Sequence, residues 1–207
     1  MSFDTLASRD RIQKTIAALK SRGVAAEVVP GPAEALARLK DLVPAGASIS
    51  TGASITLREI GLDELLKGTA HQWKNLKAEY LAEKDPARQQ LLRRQSVLAD
   101  YYLGSVHAVA ETGEVVIASM TGSQLSPYAY AARNVIWVVG AQKITATLED
   151  AMHRVRDYVL PHENARMLES SGGKMGSRIG KLMVFENEVA FLGRTVTLIF
   201  VNQKLGD

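Results

Sequence analysis

SISTGASITLREIGL, residues 48–62, is the stretch on which the fold turns. Its opening reads as a short strand, Thr51-Gly52-Ala53-Ser54 as a loop of small residues, and a helix starts near Thr56. A strand that passes so directly into a helix belongs to a chain in which strands alternate with helices and pair in parallel. The upstream segment repeats the pattern. Ile12, Ile16 and Leu19 share one helical face, Gly23 stops that helix, and VAAEVV (24–29) follows as a strand. Pro32 suits a first helical position, Leu36, Leu39 and Val43 recur at helical spacing, and Pro44 ends the run.

Downstream the signals are uneven. From His71 to Lys84 aromatic and charged residues alternate without a clean period, so a connection with at most one strand is expected. Asp85-Pro86 reads as a helix cap and first-turn proline, with the helix running through Leu91, Leu92 and Leu98 to about Tyr102. Three strands are expected next: 106–111, 114–119 and NVIWVVG (134–140), with a short helix between Ser126 and Ala132. NVIWVVG has no polar interruption and suits a central strand covered on both faces. Thr147 and Asp150 form a capping box for a helix whose buried stripe is Leu148, Met152, Val155 and Val159, and Pro161 is expected to close it. The tail differs in kind: SSGGKMGSRIG (170–180) is a Gly-Ser-rich loop, and LMVF and RTVTLIFV are two strands expected at an edge or against a partner subunit. One domain over 1–207 is expected, with 1–43 as its N-terminal helix and strand portion and 170–207 as its C-terminal loop and strands.

Composition narrows the function classes. The chain has 207 residues, 46% hydrophobic and 23% charged, which suits a globular protein with a sizeable core. Its formal charge of +3 is dispersed among interleaved acids, which is no nucleic-acid footprint. With no cysteine there is no disulfide, thiolate nucleophile or cysteine-held iron–sulfur cluster, and no cofactor fingerprint is evident. Histidines 71, 107, 153 and 162 lack metal-ligand spacing. The N-terminus has no apolar signal core and VIWVVGA is far short of the roughly 20 residues a membrane span needs, so a cytoplasmic location is expected.

Three stretches bear candidate chemistry. Backbone N–H groups of the loop at Gly52, with hydroxyls of Ser54 and Thr56 beside them, form a ready site for phosphate or carboxylate, although Ser54 or Thr56 capping its own helix is the plainer alternative. In GSVHAVAETG (104–113), a tight Thr112-Gly113 turn sets Glu111 directly across from Glu114. Like charges opposed across a hairpin are unfavourable, which is relieved if Glu111 turns into a cavity as base, nucleophile or anchor. A surface carboxylate held by a nearby Lys or Arg is the alternative. His107, four residues away on the same strand, is too far to touch it. The third stretch, SMTGSQ (119–124), places Thr121 and Gly122 in a second small loop after a strand, and two such loops suggest a shared crevice at the strand carboxyl ends. Lys143 lies at that edge, able to answer an anion or Glu111, or to serve as a plain surface lysine. The loop at Lys174, Arg178 and Lys181 could bind an anion, though a mobile solvated loop is the plainer reading.

TGASITLREIGL, LADYYLGSVHAVAETGEVV (98–116), VIWVVGAQKI, EDAMHRVRDYVLPHENARML and RTVTLIFVNQKLG, in that order from about Val43 to the C-terminus, resemble the LUD (lactate utilisation) domain family, LutC/YkgG-like group. The resemblance implies a three-layer α/β/α fold with a mostly parallel sheet of the NagB/RpiA/CoA-transferase-like type and a C-terminal β extension. It implies a phosphate- or CoA-contacting loop at Gly52, Ser54 and Thr56, an acid-bearing turn at Glu111, Thr112 and Gly113, and further ligand positions at Gly104, Thr121, Gly122 and Lys143. The chain departs from relatives at His107, often Asn, and at Ser123-Gln124, often Asn-Arg. It also lacks the cysteine cluster that many relatives carry in the 170–180 segment, so no cluster-linked electron transfer is carried over. The expectation is a binder of an anionic organic acid, acyl-CoA or sugar phosphate with Glu111 as the reactive carboxylate. The competing expectation is a non-catalytic accessory or regulatory subunit of a metabolic complex. A homo-oligomer is compatible with either; nucleic acid and membrane are not expected partners.

Overall fold

The computed structural model describes residues 3–189, 191 and 193–207. The chain enters through α1 (Arg9–Ser21), β1 (Ala25–Val29), α2 (Pro32–Leu42), β2 (Ser48–Thr51), α3 (Ile55–Glu59) and α4 (Leu62–Lys67). Local chemistry accounts for these boundaries. Ser8 accepts from the Arg11 N–H at the start of α1, Gly23 takes a left-handed φ of 77° just past its end, and Pro32 occupies the first turn of α2. Then come β3 (Lys74–Asn75), α5 (Leu76–Ala82), α6 (Pro86–Gln95) and β4 (Tyr101–Gly104). The helix expected to reach Tyr102 ends at Gln95 and passes through one 3₁₀ turn, and Tyr102 is a strand residue. Its leucines are no core stripe: Leu91 and Leu98 are exposed, and burial falls instead on Tyr102 and Leu103.

The second half supplies β5 (Ala108–Ala110), β6 (Val115–Ser119), a π-helical turn at Pro127–Ala131, β7 (Asn134–Gly140), β8 (Ile144–Thr145), α7 (Leu148–His153), α8 (Leu160–Ser170), β9 (Lys181–Phe185) and β10 (Thr195–Val201). The capping box of Thr147 and Asp150 starts α7 as expected. Pro161, however, does not close the helix. A π-helical segment, Arg154–Val159, joins α7 to α8 without a break, and the Leu160 N–H reaches back five residues to the Val155 carbonyl. The widened turn sits where a proline ring crowds the preceding carbonyls, so the chain continues past Pro161 in helical form.

Six parallel strands form the main sheet in the order β1-β10-β7-β4-β2-β3. Along β7 the pleat sends Val135, Trp137 and Val139 into one core and Ile136 and Val138 into the other. The second of these cores is closed by Leu39 of α2, Leu57 of α3 and Leu62 of α4. The first is closed by Ile12, Ile16 and Leu19 of α1 together with Val109, Val115 and Ile117 of a smaller sheet, ordered β8-β5-β6-β9. Ala151 and Val155 cover that small sheet's far face. The molecule is thus a three-layer α/β/α protein with a mostly parallel sheet, and the small sheet is inserted on one side. A run of edge-to-face rings binds the layers: Tyr102, Tyr128, Trp137 and Phe185 follow one another at 5.5, 5.5 and 5.3 Å between centroids. The two tail strands part company. β9 is an edge of the small sheet, but β10 lies inside the main one, with Leu198, Ile199, Phe200 and Val201 fully buried. No helix among the described residues is long and apolar enough to cross a membrane.

Candidate functional site

Where β2, β4 and β6 end, and where the chain leaves β7, a cavity of about 430 Å³ opens. Crevices outside the carboxyl ends of parallel strands are where open α/β sheets take their ligands. Gly52, Ser54, Thr56, Gly104, Thr121 and Lys143 all line it, so the two small-residue loops do share one crevice. Gly104 is required there, because a Cβ would overlap the Tyr128 hydroxyl, which donates to the Ser105 carbonyl at 3.2 Å. Ser54 caps α3, accepting from the Leu57 N–H at 3.2 Å, and its neighbour Thr56 is buried.

Five cationic side chains line the cavity, Arg58, Lys77, Lys143, Arg166 and Arg178, against three acids, Asp63, Glu163 and Asp207. Glu163 is already engaged by both arms of Arg166 at 2.7 and 2.6 Å. The balance is positive. Lys77 donates to Thr51 Oγ1 at 3.2 Å and to the Gly52 carbonyl at 3.3 Å, and burial lowers its pKa. Lys143 is 4% exposed and donates to Thr56 Oγ1 at 3.3 Å; no acid lies within ion-pair distance of it among the described residues. Burial and the Arg154 charge lower it to about 7, against weaker opposing pulls from Asp207 and Glu59.

Arg154 stands just behind, fully buried. One arm donates to the His107 carbonyl, its guanidinium lies 5.2 Å from the centre of the Tyr158 ring, and its Nε and Nη2 have no hydrogen-bond partner among the described residues. Burial brings it down to about 10. His107 also lines the cavity. Its Nδ1 accepts from the Ala118 N–H at 3.2 Å, and burial with the Lys143 and Arg154 charges lowers the ring to about 3, so it is neutral with its proton on Nε2.

Glu111 does not join this group. The hairpin is one register step away from the expected one: Ala108 pairs with Val116, Val109 with Val115, and the Ala110 N–H donates to the Glu114 carbonyl at 2.9 Å. Glu111, Thr112 and Gly113 are therefore a three-residue loop, with Gly113 at a φ of 97°, and Glu111 does not face Glu114. Each carboxylate has its own cations from α1 and the residue following it. Arg11 and Lys14 grip Glu111, the lysine at 3.0 Å, while Arg22 and Thr112 hold Glu114. Partial burial alone would raise the Glu111 carboxyl, but the Arg11 and Lys14 hydrogen bonds and charges outweigh it and keep it below its ordinary value. Glu111, Thr112, Gly113 and Gly122 are outside the cavity lining.

Sequence reading passed over Lys77, Arg58 and Arg154, and preferred a solvated loop to anion binding for Arg178, which lines the cavity. The one usable signal was Arg154 on a stripe otherwise apolar, between Ala151 and Val155.

The LUD domain model matches residues 12–186. Among solved structures, a DUF162 family protein from Deinococcus radiodurans superposes with a TM-score of 0.55 at 12% identity, over 95% of this chain and 98% of that one, a likeness that speaks for the fold alone. No curated protein matches significantly.

Proposed function

The chain belongs to the LUD domain family, and from that premise we propose that it binds a small organic anion, a carboxylate or a phosphate ester, in the cavity at the strand carboxyl ends. The observation that carries the reading is a positive cavity whose most deeply placed cation, Lys143, has, among the described residues, a hydroxyl alone for a hydrogen-bond partner. Burying a cation costs several kcal/mol unless an anion meets it, so a ligand that supplies the anion recovers that cost. Lys77 beside Gly52, Arg58 and Arg178 would hold the anionic group, with Thr56 and Ser105 as hydroxyl partners. The volume suits an organic acid or a sugar phosphate, and only the acyl-proximal part of a CoA ester. In this reading Glu111 ties the β5–β6 hairpin to α1 and takes no part in chemistry. The link to lactate or other organic-acid utilisation belongs to the family resemblance and fits an anionic substrate.

The accessory-subunit alternative rests on the tail strands as a docking surface; β10 is buried inside the main sheet and β9 keeps its free edge, so β9 alone supports that reading. The deciding experiment is a thermal-shift panel of small carboxylates and phosphate esters against wild type, Lys143→Met, Lys77→Met and Glu111→Gln. A ligand at 100 times its dissociation constant adds about 2.7 kcal/mol of stability. The expected pattern is a shift in wild type and in Glu111→Gln that is reduced in both lysine variants. A response kept by both lysine variants and lost with Glu111 would reverse the assignment.

A further inference from the structure

Lys143 is placed for more than ion pairing. A lysine that only neutralises an anion works best fully protonated and is usually set at a mouth, within reach of water. This one is 4% exposed at the cavity wall, its ammonium has one neutral partner, and a second cation, Arg154, lies behind it. Arg154 is itself fixed by the His107 carbonyl and the Tyr158 ring. Such an arrangement, apolar enclosure plus a neighbouring cation, is how an amine is kept neutral and nucleophilic. Around it stand groups that can pass protons without carrying charge: Thr56 Oγ1, which accepts from Ser105 Oγ at 3.3 Å, and the neutral His107 ring.

We propose that Lys143 forms an imine with a carbonyl compound that also carries a carboxylate or phosphate, the anionic group being held by the other cations of the cavity. The inference rests on the anion-binding reading above and names the substrate class for it. In the first step the Nζ lone pair attacks the carbonyl carbon, a C–N bond forms, and the carbonyl π electrons move to oxygen. Proton transfer from nitrogen to that oxygen gives the neutral carbinolamine. The hydroxyl then takes a proton from the relay, the C–O bond breaks to release water as the nitrogen lone pair closes the C=N bond, and the nitrogen returns its remaining proton to the relay to leave the imine. No oxidant, metal or second substrate is needed. Thr56, Ser105 and His107 are positioned to relay the protons, and the cationic wall orients the carbonyl by its anionic end.

Burial and three charged groups set the protonation of Lys143: burial and Arg154 of the π-helical segment disfavour the ammonium, Asp207 and Glu59 of α3 favour it, and the facing His107 ring is neutral. At pH 7 a substantial share of Lys143 is then free amine, on the order of 10³ times the fraction in an ordinary surface lysine. That difference makes the test selective.

The full-length chain is treated at pH 7 with glyoxylate or with glyceraldehyde 3-phosphate in the presence of cyanoborohydride. The reagent delivers hydride to the imine carbon while solvent supplies the proton to nitrogen, leaving a stable secondary amine located by peptide mass. Glycolate and glycerol 3-phosphate, which lack the carbonyl, are run beside them as thermal-shift ligands. The expected result is labelling of Lys143 well ahead of the other ten lysines, with a half-maximal rate near pH 7, and its loss in Lys143→Arg. Preference for one carbonyl probe tells carboxylate from phosphate. In Arg154→Met the midpoint of the pH profile should move upward, a change that a purely structural arginine would not produce. If glycolate or glycerol 3-phosphate raises the melting temperature but Lys143 stays unlabelled, the imine is overturned and the anion site stands. With neither shift nor label, both fall. Labels spread over surface lysines, with none favouring Lys143, also overturn the proposal.

Discussion

Two partly hidden charges sit on neighbouring parts of this chain and are treated in opposite ways. At the β5–β6 hairpin Glu111 is met by two cations, and Glu114 beyond it by Arg22. In the cavity Lys143 is met by one hydroxyl and opposed by Arg154. The two regions are close, since the Glu111 N–H donates to the Thr145 carbonyl only two residues from Lys143. Glu111 is answered within the fold and helps hold it together, whereas in the proposed reading Lys143 is kept for an anion from outside it.

Substitutions can break or sharpen that contrast. The most complete internal pairing is Arg194 with Glu188, at 6% and 7% side-chain exposure, where Arg194 also donates to the carbonyls of Pro127, Tyr128 and Ala132. Arg194→Met strands a buried carboxylate and is expected to cost about 3–5 kcal/mol in urea unfolding. A loss below 1 kcal/mol there would mean that internal pairing is no mark of a structural charge. Gly104→Ala, at the cavity wall, forces the Tyr128 ring out of its run of aromatic contacts and should cost about 1–3 kcal/mol by the same measurement.

Lys143→Met should go the other way in the ligand-free protein, gaining up to about 2 kcal/mol at pH 7. The folded-state pKa of about 7 lies below the unfolded value of 10.5, so wild type carries the whole penalty below pH 7 and recovers it as the pH rises from 7 toward 10.5. The advantage of the variant must therefore shrink across that window, and a constant gain would place the effect in packing instead. The smallest effect is expected for Glu111→Gln, a loss of about 1 kcal/mol near neutrality because Arg11 and Lys14 are substantially solvated. With the carboxyl held below its usual 4.5, this contribution is present above that value and disappears as the pH falls through the folded-state pKa. Melting curves of variant and wild type should converge in acid; a gap that persists there would point to shape rather than charge.

The features that could be read from sequence are those decided within a few residues. Pro32 and Pro86 in first turns, the Thr147–Asp150 box and the uninterrupted NVIWVVG run all stand where local chemistry puts them. The loops at Gly52 and Thr121 were legible as a pair because both follow strands. What was not legible was decided by partners far away in sequence. Nothing near Glu111 says that α1 will bring Arg11 and Lys14 to it, and a hairpin loop of three residues rather than two reverses which side chains face each other. Pro161 looked like a terminator because the π-helical turn that admits it has no sequence mark. Lys77 matters only because α5 packs against β2, and its segment had no period from which that packing could be inferred.

The position of β10 has a further consequence, for the order of events rather than for the finished molecule. β1 pairs with no strand of the main sheet except β10, and nearly the whole chain separates the two. During synthesis the first strand must therefore wait, unpaired, until residues 195–201 have emerged. Closing so long a loop is slow compared with forming any local hairpin. The tie between α1 and the β5–β6 hairpin through Arg11, Lys14 and Arg22 can form earlier, since it needs only the first 119 residues. These ion pairs, which lie outside the cavity lining, are thus placed to dock the N-terminal helix while the sheet is still missing the strand that will seal it.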